Sequence, residues 1–249
     1  MIGAVENLLI EQIRQKKSLF AVLLDPDTSE PDALLKTGAM AVENGADILF
    51  VGGSFMGNTH LSQQVAALKA KVSAPVILFP GGASQVVPGF DAVLFTTLVS
   101  GRNSQYLIEE QVRGGVLVKS FGIEAIPTAY CLINSGRPTA VEFISNTTPI
   151  PANKPKLTMV HAVAAELMGM RFIYLEAGSG ADVPVPVEHI ALTRKATDLT
   201  IITGGGLTTP EMANLRAQAG AQIIVTGTTI EKNASATLVR EFADAIHHA

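Results

Sequence analysis

The chain repeats one pattern eight times: a short, continuous apolar run, then a segment with helical character. The runs are 18–25 (SLFAVLLD), 47–53 (DILFVGG), 75–81 (PVILFPG), 91–98 (DAVLFTTL), 124–133 (EAIPTAYCLI), 171–178 (RFIYLEAG), 199–205 (LTIITGG) and 222–227 (QIIVTG). They are rich in Val, Ile, Leu and Phe, as strands buried on both faces of a parallel sheet are. Helices are expected over 31–44, 59–71, 104–114, 158–169, 187–196, 210–219 and 233–247. Pro31 and Pro210 open two of them, where a missing N–H costs little. Eight strands alternating with helices predict an α/β chain folded as a single (β/α)8 TIM barrel domain over residues 1–249. The rival is an open doubly wound sheet, but no dinucleotide fingerprint follows the first strand. One connection, near residues 82–90, is too short for a barrel helix and is expected to be irregular. Another, 134–157, is polar and Pro-rich and reads as a long functional loop.

Composition removes several function classes. With 249 residues, 47% of them hydrophobic, the chain can bury a large core. A net charge of −4 and the lack of a basic run give no support to nucleic-acid binding. One cysteine, Cys131, rules out an internal disulfide and suits a reducing compartment. The first 17 residues read as an amphipathic helix whose acidic residues argue against a signal peptide. No uninterrupted apolar stretch reaches the ~18 residues that a membrane span needs. A soluble cytoplasmic protein is the expectation.

In a barrel of this kind the chemistry sits at the C-terminal ends of the strands. Those ends carry carboxylates, hydroxyls and glycines. The runs Gly178-Ser179-Gly180, Gly204-Gly205-Gly206 and Thr226-Gly227-Thr228-Thr229 close strands six, seven and eight. Backbone N–H groups that approach closely, with a helix start nearby, make an anion cradle. One such loop alone is explained as a tight turn; three on neighbouring strands point to a phosphate. Asp25-Pro26-Asp27 closes strand one. Asp25 suits a Mg²⁺ ligand, with Ser54 at the end of strand two as a second oxygen. Alternatively, Asp27 or Thr28 caps the helix that starts near Pro31. Glu176 ends strand six beside the glycine loops, where a carboxylate accepts a proton, holds a polyol or makes a rim salt bridge. Tyr174 points to the same side of that strand, into the site or into barrel packing. His161 and His189 fall in helices and read as structural or surface residues. Cys131 reads as a small core residue.

Taken together these residues resemble a known family. Leu24-Asp25-Pro26-Asp27, Gly52-Gly53-Ser54, Phe79-Pro80-Gly81, Ile126-Pro127-Thr128-Ala129-Tyr130, Tyr174-Leu175-Glu176-Ala177-Gly178-Ser179-Gly180-Ala181, Gly204-Gly205-Gly206 and Val225-Thr226-Gly227 look like those of geranylgeranylglyceryl phosphate synthases. That family includes bacterial heptaprenylglyceryl phosphate synthases, and the likeness runs in order from about residue 20 to 232. It implies a Mg²⁺-dependent prenyltransferase that joins a polyprenyl diphosphate, such as geranylgeranyl diphosphate, to sn-glycerol-1-phosphate and releases diphosphate. By motif position, Asp25 and Ser54 would hold the metal. Tyr174, Glu176, Gly178, Gly204, Gly206, Gly227 and Thr228 would surround the glycerol phosphate, with Ser179 and Gly205 in the same loops. Asp25 and Glu176 would be the catalytic groups. Phe55, Phe79, Phe95, Tyr106 and Tyr130 are candidate walls for the prenyl tail, although aromatics in strands are ordinarily core. Leu23 and Thr228 depart from the pattern, standing where relatives often carry Lys and Asn. A homo-oligomer is expected, as for many barrels. The competing classes are another phosphate-binding barrel enzyme, an isomerase or lyase, and a non-catalytic phosphometabolite binder. No strand ends in a Schiff-base lysine, which weighs against an aldolase.

Overall fold

The eight apolar runs become eight parallel strands that pair in chain order and close on themselves, as expected for a (β/α)8 barrel. The computed structural model describes residues 2–27, 31–57 and 59–249. The strands are β1 (Leu19–Leu24), β2 (Ile48–Val51), β3 (Val76–Leu78), β4 (Ala92–Thr97), β5 (Glu124–Leu132), β6 (Phe172–Glu176), β7 (Thr200–Gly204) and β8 (Ile223–Thr226). Closure comes from β1 pairing with β8, in the register Leu19 to Ile223 and Val22 to Thr226.

Side chains alternate along each strand and divide the core in two. On β6, Phe172 and Tyr174 point into the barrel with Leu19, Ala21, Phe50 and Ile202. Ile173 and Leu175 point out, against the helices, with Phe20, Val22 and Leu24. This double burial is why the runs read as continuous rather than alternating. Each fully buried Leu, Ile or Phe contributes roughly 1.5–3 kcal/mol.

The helices are α1 (Ala4–Lys16), α2 (Pro31–Glu43), α3 (Leu61–Lys69), α4 (Glu110–Ser120), α5 (Ala140–Ser145), α6 (Pro155–Leu167), α7 (Val187–Ala196), α8 (Pro210–Gln218), α9 (Thr228–Asn233) and α10 (Ala236–His247). The connection near 82–90 is irregular, as its length predicts: a single 3₁₀ turn, Ala83–Gln85, replaces a helix. Other boundaries move. The helix expected at 104–114 splits into a π-helical turn, Gln105–Glu109, and α4, which runs on through Gly114 and Gly115 because Val118 packs in the core. The helix expected from 233 starts at Ala236, where Ser235 Oγ accepts from Leu238 N at 3.4 Å. The stretch 134–157 is only partly loop: it holds α5, an isolated bridge from Ile133 to Ile150, and the start of α6 at Pro155. Thr28, the alternative helix cap, lies outside the described residues. Asp27 Oδ2 accepts from Gly57 N at 2.5 Å, on the loop after β2.

The N-terminal end of the barrel is closed. Val5, Leu9 and Ile13, four residues apart on α1, join the interior cluster, and Leu9 is fully buried. The Glu124 carboxylate accepts from Val5 N and Glu6 N, both at 2.8 Å, placing negative charge at the positive end of α1. Buried Glu6 pairs with Arg171 through two bonds, 2.5 and 2.6 Å. Asp47 accepts from Lys16 Nζ at 2.5 Å and Phe20 N at 2.8 Å, and contacts His247 Nε2 at 2.7 Å. With this end plugged, open space is left at the opposite mouth. No helix among the described residues is long and apolar enough to cross a membrane.

Candidate active site

A cavity of about 1270 Å³ occupies the C-terminal mouth. Its two sides differ in chemistry. Asp25, Asp27, Ser54, Glu176, Ser179, Gly205, Gly206 and Thr228 line the polar side. Phe79, Phe95, Tyr106, Val118, Tyr130, Val141 and Ile144 line the apolar side. The π-helical turn and α5 form part of the second wall, joined where Tyr106 Oη donates to Ile144 O at 3.4 Å and Asn103 Nδ2 to Ser145 O at 2.9 Å.

Glu176 is the last residue of β6 and is 6% exposed. Burial pushes its carboxyl up to about 7, against hydrogen bonds from Gly178 N, Tyr174 Oη and Ala177 N that favour the charged form. The Gly178 N bond to Oε1 measures 2.6 Å. Among the described residues Glu176 has no ion pair, so it is not a rim salt bridge. A desolvated carboxyl that changes charge near neutrality suits proton transfer. Burial, followed by the Glu176 charge, lifts the Tyr174 hydroxyl well above its ordinary range, so it remains a donor.

The three glycines after β7 each have a distinct steric reason. A Cβ on Gly204 would overlap the Tyr174 hydroxyl. Gly205 has φ +84°, and a Cβ there would overlap Glu176 Oε1 and stand 2.8 Å from Gly178 N. Gly206 has φ +68°, with Ala181 O and Pro184 N both 3.0 Å from a would-be Cβ. Two left-handed conformations and three close approaches make a side chain costly at each position. The first two glycines are therefore built around Tyr174 and Glu176, and the third around the Ala181–Pro184 backbone. Gly205 and Gly206 also line the cavity, whereas Gly204 and Gly178 do not. Ser179 Oγ and Thr228 Oγ1 lie 3.3 Å apart, which brings the loops after β6 and β8 together.

At the far polar edge, Asp25 Oδ1 accepts from Asp27 N at 3.0 Å, and Glu231 Oε1 accepts from Asp25 N at 2.9 Å. Asp25, Asp27, Ser54 and Glu231 all line the cavity. Glu231 and Lys232 lie on α9, a short helix that the sequence reading passed over; the run TTIEKN directly after Thr226-Gly227 was the available signal.

All five aromatics read as candidate tail walls line this one cavity. Phe79 stacks on Tyr174 at 4.8 Å, and Tyr130 lies 5.6 Å from Tyr174. Phe55 is 74% exposed at the rim. His189 is buried and structural, bonded to Thr158 Oγ1 at 2.7 Å and Ala152 O at 2.9 Å. His161 is half-buried on α6, its Nδ1 2.6 Å from Leu157 O. Burial raises the Cys131 thiol to about 12, as befits a core residue.

A model of the PcrB family matches residues 11–246. The chain belongs to the PcrB family. Relatives of this PcrB-family chain include the geranylgeranylglyceryl phosphate synthase of Korarchaeum cryptofilum, 42% identical over 240 residues that cover 96% of this chain and 98% of the relative. The enzyme of that name from Chitinophaga pinensis is 41% identical over 249 residues, covering 100% and 98%. Among solved structures, (S)-3-O-geranylgeranylglyceryl phosphate synthase from Thermoplasma acidophilum, in complex with substrate sn-glycerol-1-phosphate, matches with a TM-score of 0.91 and 30% identity, each chain covered fully.

Proposed function

We propose that this chain transfers a polyprenyl group, geranylgeranyl by the names of its relatives, from its diphosphate to sn-glycerol-1-phosphate. The observation that carries the reading is the single cavity that joins a Glu176-centred polar side to an aromatic and aliphatic wall. A small polar acceptor and a long apolar donor need both surfaces side by side. Family membership, and the glycerol-phosphate complex of the Thermoplasma acidophilum enzyme, support the acceptor.

In this reading the glycine loops after β6, β7 and β8, with Ser179 and Thr228, hold the phosphate. Tyr174 keeps the Glu176 carboxylate aimed at the glycerol hydroxyl. That hydroxyl gives its proton to Glu176 as its oxygen bonds to the first carbon of the prenyl chain. The carbon–oxygen bond to diphosphate breaks, and the leaving group departs with the electron pair. Phe79, Tyr130 and Tyr106 exclude water from the reacting carbon and pack the tail. The Asp25 end offers oxygens from Asp25, Asp27 and Ser54, with Glu231 and the Lys232 ammonium on the same cavity lining. Oxygens suit a hard divalent cation, and because no three acidic, His or Cys side chains gather as a metal cage among the described residues, substrate phosphate and water would complete its shell. Asp25 and Ser54 would hold Mg²⁺, which supplies charge stabilisation for the leaving diphosphate.

The test is transfer of labelled sn-glycerol-1-phosphate into organic solvent with a panel of prenyl diphosphates and Mg²⁺. Wild-type protein should move label, and Glu176→Gln should not. Absence of transfer with every tail, while glycerol phosphate still protects the fold from heat, would reduce the chain to a phosphometabolite binder.

A further inference from the structure

We propose that Gln85 is a positioning residue: its side-chain amide joins the loops after β2 and β3 and so fixes Gly53 and Ser54 beside Asp25. The inference rests on the transferase reading above and adds a part to it. The 3₁₀ turn Ala83–Gln85 stands where other βα units of this barrel place a helix. It folds Gln85 back beneath two loops. Gln85 Oε1 accepts from Gly81 N at 2.8 Å, and Gln85 Nε2 donates to Gly53 O at 2.9 Å. The residue is 6% exposed, so both ends of the amide are committed to backbone out of water.

The joined loops have no slack. A Cβ on Gly81 would stand 2.6 Å from Gly53 O and 2.8 Å from Ser54 O. On the other side, a Cβ on Gly53 would come within 3.0 Å of Asp25 Oδ2. Gly53 is held between the Gln85 amide and the Asp25 carboxylate. The turn is itself anchored from α4: Glu110 Oε2 accepts from Ala83 N at 2.6 Å, and Gln105 Nε2 donates to Glu110 Oε1 at 3.0 Å. An apolar side chain would fill this space without the cost of burying two polar groups. The amide adds a fixed spacing between two backbones, which is what loops carrying ligand oxygens require.

Two variants test this. Gln85→Met keeps length and removes both hydrogen bonds; Gln85→Glu keeps the acceptor for Gly81 N and removes the donor to Gly53 O. Mn²⁺ alone, a paramagnetic substitute for Mg²⁺, is titrated into each protein and into Asp25→Asn, with free Mn²⁺ read by electron paramagnetic resonance. Wild type should bind Mn²⁺ in a manner that requires Asp25, and both Gln85 variants should bind about tenfold more weakly. In turnover, the requirement for Mg²⁺ and prenyl diphosphate should rise while KM for sn-glycerol-1-phosphate stays unchanged, since the Gln85 amide bonds to the loops after β2 and β3 and the acceptor loops follow β6–β8. A purely structural defect would instead lower kcat for all substrates alike. Wild-type Mn²⁺ affinity in Gln85→Met, a uniform loss, or Mn²⁺ binding that ignores Asp25 would overturn the proposal. Where Gln85→Met does not fold, Gln85→Glu decides by the same readouts. Failure of wild-type turnover with Asp25-dependent Mn²⁺ binding intact would sink the transferase reading, and the Mn²⁺ titration would still decide Gln85.

Discussion

The Tyr174 hydroxyl on β6 occupies the space that a Cβ on Gly204 of β7 would need. The missing methyl on one strand makes room for the phenol of its neighbour, whose hydroxyl favours the charged form of Glu176. A backbone choice on β7 thereby sets the environment of the carboxyl proposed as base. Gly204→Ala should destabilise the fold by about 1–3 kcal/mol through overpacking. Tyr174→Phe removes the overlapping oxygen, so the double variant should be more stable than the sum of the two single changes. Urea unfolding of all four proteins measures the coupling, and strict additivity would refute this contact as the cause.

Glu176→Gln should lower kcat by roughly 10²–10⁴-fold, the range for loss of a general base. The amide keeps the size of the side chain and removes a charge that burial disfavours. Circular dichroism and thermal unfolding should therefore show a folded protein, no less stable than wild type above pH 7. A variant that unfolds would mean the carboxylate is structural.

The raised Glu176 carboxyl, at about 7, gives a pH signature. A base must be ionised, so kcat/KM should rise as pH passes through about 7 and level off above it. Stability should run the other way. Between the ordinary carboxylate value of 4.5 and about 7 the folded chain binds more protons than the unfolded one, so stability falls as pH rises across that window. The contribution is about 3 kcal/mol on the relation of 1.36 kcal/mol per pKa unit. Glu176→Gln should flatten both profiles, and an unchanged stability profile in that variant would assign the trend to another group.

Removing divalent metal should abolish turnover, and Mg²⁺ should restore it. Asp25→Asn should lose turnover at ordinary Mg²⁺ while sn-glycerol-1-phosphate still raises the thermal midpoint, because Glu176 and the glycine loops after β6 and β7 come from strands that do not pair with β1. Activity that survives chelation would remove Mg²⁺ from the reading.

At the closed end of the barrel, Asp47 is held by Lys16, Phe20 N and His247. Burial raises its carboxyl, but the hydrogen bonds from His247, Lys16 and Phe20 N together outweigh it and leave the carboxyl below the ordinary value. Its contribution is present at neutral pH and is lost as pH falls through that depressed value. Asp47→Ala should cost about 1–3 kcal/mol, the range for leaving the buried Phe20 N–H without its acceptor, since the Lys16 ammonium can turn to water, and leave both KM values unchanged. A changed KM would show that the two ends of the barrel communicate.

Much of this molecule is written locally. Continuous apolar runs such as SLFAVLLD can only be buried on both faces, and eight of them separated by helical segments leave a closed parallel barrel as the economical arrangement. Strand-end carboxylates and glycines were visible as such, and Asp25, Ser54, Glu176, Ser179, Gly205, Gly206 and Thr228 do line one cavity. The shortness of 82–90 announced an irregular connection, because too few residues were present for a helix. Less legible were α5 and α9, each six residues long, too short for a helical period to stand out.

The sequence by itself determined which segments must be buried, their order, and the chemistry placed at the strand ends. Tertiary structure alone decided why Gly204, Gly205 and Gly206 are glycines, since the Tyr174 hydroxyl, the Glu176 carboxylate and the Pro184 backbone that exclude a Cβ come from residues 20 to 30 positions away. It alone decided that Gln85 spans two loops and that five scattered aromatics line one cavity. Periodicity and composition report neighbours along the chain. Desolvation, overlap and hydrogen-bond partners depend on neighbours in space, which exist only once the barrel has closed.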